Sequence, residues 1–170
     1  LAEGARGEVG DATVEAVDQP SLGGEVGGAV AHQAAAGDEL VDAAPILIKS
    51  GVKVMIDHFG RPDIKAGVKS KGYQTVLEFG RNGQGVVKIS GPFRSSVQGY
   101  PYTDTDPFVA AAIEAYTLDR CVWGSDWPFV RMDERMDYGP PATCLPRWLP
   151  DVKDQQKILW DTPARLFGFK

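Results

Sequence analysis

Four side chains of this 170-residue sequence are of types that do chemistry when gathered at one place. His58 and Arg61 stand in DHFGRPD, Arg94 in KISGPFRSS and Asp126 in WGSDWPF. Imidazole and carboxylate groups exchange protons near neutral pH, and a guanidinium fork binds anions. Each residue also has a plainer reading. A histidine at a strand end can be a satisfied structural group, Arg94 a solvated loop residue, and Asp126 the cap of the turn before Trp127-Pro128. Asp57 reads as a structural hydrogen-bonding group, while Ser95 and Ser125 lie on the same runs as the candidates.

What must position these residues is legible around them. GVKVMIDHF is short and rich in β-branched residues, which predicts a buried strand, and GVVKISG and RCVWGSD read as the next two in the same strand–helix cycle. Between them the apolar spacing turns helical. Leu40, Val41, Ala44, Leu47 and Ile48 share one face of a helix over 39–50, with Pro45 set to kink or restart it and Gly51 to stop it. A helix over 70–81 carries Tyr73, Val76, Leu77 and Gly80 on one side. A third begins with Asp106 as N-cap and Pro107 as its first residue. Asp151 caps a later helix, and Thr162-Pro163 opens the last one before Gly168.

Strand and helix alternating at this spacing imply parallel strands with crossover helices, an α/β architecture. Ligands of such folds sit at the carboxyl ends of the strands, where all four candidates fall. Parity places Val52, Val54, Ile56 and His58 on one side of the first strand. If that side faces the interior, His58 points into the pocket from its rim. GRNGQG stands at a helix-to-strand junction, so it lacks the context of a phosphate loop.

Composition narrows the function classes. The sequence has 18 Lys+Arg against 23 Asp+Glu, a formal charge of −5, with no basic cluster. That balance argues against nucleic acid or anionic lipid as the main partner. No apolar run reaches the roughly 18 residues of a membrane span, so no membrane partner is expected. Two cysteines, Cys121 and Cys144, are too few for a disulfide framework and suit reduced thiols in a cytoplasmic protein. Residues 1–37 differ from the rest: they hold 8 of the 20 glycines, 6 acids, one base and no aromatic residue. With little apolar surface to offset ordering entropy, they read as a disordered leader or as a Gly/Ala-rich artefact, for example a coding region read out of frame. The folded domain is expected to be 38–170.

VMIDHFGRPD, VVKISGPFRSS, LDRCVWGSDWPF and the closing DTPARLFGF resemble the C-terminal part of the amidohydrolase-related metal-dependent hydrolases. The branch resembled contains 2-pyrone-4,6-dicarboxylate lactonase and other sugar or muconate lactonases. The resemblance implies a (β/α)8 barrel, of which this chain would supply about three βα units, strands six to eight. It also implies that Asp126 is the general base activating water and that His58 helps polarise the substrate carbonyl. Arg61 and Arg94 would hold substrate carboxylates. Lactone hydrolysis requires those parts: a base for water, a donor at the developing oxyanion and anchors for an anionic substrate.

The sequence also departs from the family. No His-x-His pair, which the family carries on strand one, occurs in it. A full barrel takes about 250 residues, so 38–170 reads as an incomplete barrel, expected to be inactive in isolation. Self-association through the exposed barrel edge is one way to complete it. His58 and Asp126 are zinc-ligand types, but two ligands fall short of the usual three and the arginines oppose a dication. No metal or other cofactor is therefore expected. The leading expectation is a hydrolase that opens a small, anionic, carboxylated lactone. A decarboxylase of the same superfamily and a catalytically incomplete fragment are the alternatives.

Overall fold

A computed structural model describes residues 14–15, 28–31, 38–51, 53–132 and 135–168. The chain alternates as expected: α1 (Asp38–Ser50), β3 (Lys53–Ile56), α2 (Lys71–Arg81), β4 (Gly85–Ile89), α3 (Asp106–Tyr116) and β5 (Cys121–Trp123). Two further strands, β1 (Val14–Glu15) and β2 (Gly28–Ala31), precede them. All five form one sheet in the order β1-β2-β3-β4-β5. β2 to β5 run parallel, and β1 joins β2 antiparallel. The two additional strands fall inside the segment expected to be a leader. Their backbone ladder bonds are indifferent to side-chain size, which hides such a strand from an apolar-pattern reading. The rest of 1–37, where the leader expectation applies, lies outside the described residues.

Helices α1, α2 and α3 cover one face of the sheet, and the core lies between. Val54, Ile56, Val87, Ile89 and Cys121 point from the strands into Leu40, Tyr73, Val76, Phe108, Val109 and Tyr116 of the helices. Val86 and Val122 are also buried but stand outside that cluster. They alternate with Val87 and Cys121, so they belong to the opposite face.

The two buried phenols of this core are satisfied. The Tyr73 hydroxyl donates to the Phe108 carbonyl and the Tyr116 hydroxyl to the Val76 carbonyl, each at 2.6 Å. Burial pushes both phenols well above their usual range. The Tyr116 ring fits because two glycines leave room for it. A Cβ at Gly80 would stand 2.6 Å from Tyr116 Cδ2, and one at Gly85 2.7 Å from Tyr116 Cε1. Cys121 lies in the same core, where burial pushes its thiol up to about 12 and out of thiolate chemistry.

Two local expectations change. Pro45 does not restart the helix, since α1 continues through it. Asp106 is the first residue of α3 rather than its cap, because its carboxylate is used elsewhere. It accepts from Arg147 Nη2 at 2.8 Å and from Trp148 Nε1 at 2.8 Å, both on α4 (Gly139–Trp148). That helix carries Pro140, Pro141 and Pro146, a composition that conceals it from sequence patterning. The closing helices begin where expected. Asp151 Oδ1 accepts from the Lys153 amide ahead of α5 (Val152–Gln156). A π-helical turn, Lys157–Asp161, then leads into α6 (Thr162–Phe167), which Gly168 ends at φ +74°. None of the described helices is long and apolar enough to cross a membrane.

Candidate active site

The loops leaving β3, β4 and β5 build the site. After Ile56 the backbone enters the left-handed region at His58 (φ 51°), Phe59 (41°), Gly60 (86°) and Arg61 (44°). Such a run is rare for residues bearing a Cβ and stores strain. Packing holds it in place. Phe59 is fully buried in the helix-side core, and Gly60 lies so close to α2 that a Cβ would stand 2.7 Å from Val76 Cγ2.

This bend corrects the expected route of His58 to the pocket. Val54 and Ile56 face the helices, not the interior, because the helical layer is where their apolar surface is covered. With the bend sending Phe59 into that core, His58 turns to the other face. There its Nδ1 lies 2.9 Å from Ser90 Oγ.

Gly91, at φ +55°, follows Ser90 and opens the turn Pro92–Arg94. A Cβ at Gly91 would stand 2.8 Å from His58 Nδ1, 3.3 Å from Asp126 Oδ2 and 3.4 Å from Arg94 Cδ. Three of the four candidates thus converge on one glycine. Arg94 Nε donates to Asp126 Oδ2, and Arg94 Nη2 donates to the Val130 carbonyl at 3.0 Å. Asp126, itself left-handed at φ 68°, places Oδ1 3.6 Å from His58 Nε2. All three side chains are largely buried, at 7%, 9% and 14% exposure for His58, Arg94 and Asp126.

Arg61 stands apart from this cluster. Its backbone amide closes the bend on the His58 carbonyl at 2.8 Å, and its half-buried guanidinium makes no hydrogen bond or ion pair among the described residues. Ser125 is a turn residue, its Oγ accepting from the Trp127 amide at 3.2 Å. Ser95 Oγ is buried without a partner among the described residues. Phe93 packs edge-on against Phe129, with centroids 5.7 Å apart, and carries Arg94 Cζ 5.5 Å from its ring centre. These rings fasten the β4 loop to the β5 loop. Ser90 was missed in the sequence, although parity with Lys88 on β4 is a signal that would have found it.

Electrostatics set the charge of the imidazole. Burial is the largest influence and holds His58 down to about 4. Asp126 and Asp57 pull it upward, whereas Lys88 and Arg94 push it down. His58 is therefore neutral at pH 7, and its contact with Asp126 is that of a dipole with a carboxylate. Unfolding returns the ring to the ordinary 6.5. Between pH 6.5 and 4 the unfolded chain then binds a proton that the folded chain refuses, so stability falls as pH falls. The slope from this one group approaches about 1.4 kcal/mol per pH unit. Urea midpoints for the wild type and His58→Gln at pH 7, 5.5 and 4.5 check this. The stability difference between them should shrink with acidification, and a difference constant across that window would exclude a depressed His58.

Among the described residues no group of three or more His, Cys, Asp or Glu is placed to hold an ion. His58 and Asp126 offer two donors, one Asp126 oxygen is taken by Arg94, and a catalytic zinc uses three protein ligands.

The Amidohydrolase family model matches residues 28–169. The chain belongs to the amidohydrolase family. This amidohydrolase chain is 35% identical over 134 residues to 4-sulfomuconolactone hydrolase of Rhizobium radiobacter, covering 77% of the chain and 44% of that protein. It is 38% identical over 124 residues to 2-pyrone-4,6-dicarboxylate hydrolase of Comamonas testosteroni, covering 67% of the chain and 40% of the relative. Among solved structures it superimposes on one assigned as a 2-pyrone-4,6-dicarboxylic acid hydrolase from Pseudomonas putida. The TM-score is 0.68 and the identity 28%, over 79% of this chain and 50% of that one. The amidohydrolase chain thus spans about half the length of the relatives it matches. Its sheet is part of a barrel.

Proposed function

We propose that this chain contributes the proton-transfer and anion-binding side of a lactone hydrolase site. The observation that carries the reading is the convergence of His58, Arg94 and Asp126 around Gly91. Asp126 takes a proton from water as the water oxygen adds to the lactone carbonyl. When the tetrahedral intermediate collapses, the ring C–O bond breaks and that proton passes to the departing oxygen. Arg94 keeps Asp126 aimed, and its Nη1, without a bond among the described residues, is left for a substrate carboxylate. His58, neutral and held through Nδ1 by Ser90, presents Nε2 to the polarised carbonyl. Arg61, whose guanidinium is uncommitted among the described residues, anchors a substrate carboxylate.

An anionic substrate is supported by the relatives. The Comamonas testosteroni protein is named for a dicarboxylate. A structure from Acinetobacter baumannii, 30% identical with a TM-score of 0.67, holds citric acid. The Arg94 guanidinium bound to Asp126 opposes a dication there and favours water activation by Asp126 without a metal. Two free, buried thiols fit a cytoplasmic setting.

The test is ring opening of carboxylated and uncarboxylated lactones by the protein as it occurs, with release of CO₂ monitored in parallel. Carboxylated lactones should open without CO₂ release. Arg61→Met should raise KM roughly tenfold to a hundredfold with little change in kcat, from loss of a charged hydrogen bond. CO₂ release without ring opening would assign a decarboxylase instead. An unchanged KM would remove Arg61 from the pocket.

A further inference from the structure

Beneath His58 lies a second pair of charges that the reaction above does not use. Lys88 and Ser90 are two residues apart on β4 and its end, so both side chains leave the sheet on the face away from the helices. Ser90 holds His58. Lys88 Nζ lies 2.7 Å from Asp57 Oδ1, and Asp57 is the last residue before the left-handed bend. The Lys88 stem passes over Gly124 beyond β5, where a Cβ would stand 3.5 Å from Lys88 Cδ. Exposure is 28% for the lysine and 11% for the aspartate, so each lacks much of the solvation that would screen it.

We propose that Lys88 and Asp57 are a charge-balanced pair beside His58: held together on the face that carries the imidazole, they place no net charge next to it. Among the described residues four charged groups act on the ring. Asp57 comes from its own segment, Lys88 from β4, Arg94 from the turn after β4 and Asp126 from the loop after β5. Asp57 and Asp126 favour the imidazolium, whereas Lys88 and Arg94 oppose it. Removing either member of the pair therefore unbalances the ring in a direction set by the one that remains. Removing both restores the balance.

The chain has two histidines, so with His32→Asn in every variant the imidazole signals in an NMR titration belong to His58. Lys88→Met should raise the titration midpoint by about one unit, a tenfold gain in proton affinity. Asp57→Asn should lower it, keeping His58 neutral to the lowest pH at which the chain stays folded. The double variant should return near the parent, and Lys88→Arg should match it. A bend that is merely loosened would expose the ring and move both single variants toward 6.5. Single variants that shift the same way, or neither shifting, overturn the proposal. If Lys88→Met does not fold, Asp57→Asn and Lys88→Arg decide the matter alone. The catalytic consequence rests on the lactone-hydrolase reading, whereas the titration does not.

Discussion

Asp126→Asn is expected to lower kcat by about 10²–10⁴-fold, the span usual for loss of a general base. Asparagine keeps the shape of aspartate, and its carbonyl oxygen can still accept from Arg94 Nε, the bond that orients residue 126. What it cannot do is take a proton from water. The replacement also leaves the Arg94 guanidinium, only 9% exposed, without its counter-charge, so some stability is lost with the activity. The measurement is therefore kcat per folded molecule, with the folded fraction taken from a urea titration. A kcat within tenfold of the parent would remove Asp126 as the base. Arg94→Lys provides a check on orientation: a lysine keeps the charge but not the fork, so kcat should fall while the residual activity retains its dependence on Asp126.

Gly91→Ala should disable the site by a different physical route. The glycine sits at φ +55°, where a residue with a Cβ costs roughly 1–2 kcal/mol. Its new methyl would stand 2.8 Å from His58 Nδ1, closer than atoms settle, so the imidazole must move away from Ser90. A displacement of about 1 Å at a catalytic group can cost 10²-fold in rate. Gly51→Ala is the control, since Gly51 has φ +71° and an added methyl there would meet nothing within 4 Å. Gly91→Ala should lose more stability in urea than Gly51→Ala, and it alone should lose about 10²-fold in kcat per folded molecule. Equal activity in the two would show that the convergence around Gly91 has no bearing on turnover.

The parts of this fold that could be read from sequence are those fixed by apolar periodicity. Tyr73, Val76, Leu77 and Gly80 are spaced as a helix face and are buried on α2. Asp151 caps, and Gly168 terminates, because those residue types make local hydrogen bonds or tolerate a left-handed backbone wherever they occur. What stayed hidden depends on the third dimension. Four consecutive left-handed residues at 58–61 follow from the docking of Phe59 and Gly60 against α2, and no local signal announces them. The strand at Gly28–Ala31 is defined by pairing with β3, which composition does not reveal. For the site, the residue types and their rim location were legible. The meeting of Arg94 with Asp126 was not, since their bond joins two loops 32 residues apart.

The sheet separates two duties. Tightly interlocked apolar groups occupy the surface beneath the helices, while the imidazole, the guanidinium of Arg94 and both charged pairs belong to the reverse. Drift in one layer is thereby insulated from the other. Residues on the reverse face can therefore change without loosening the interlocking that makes the chain fold.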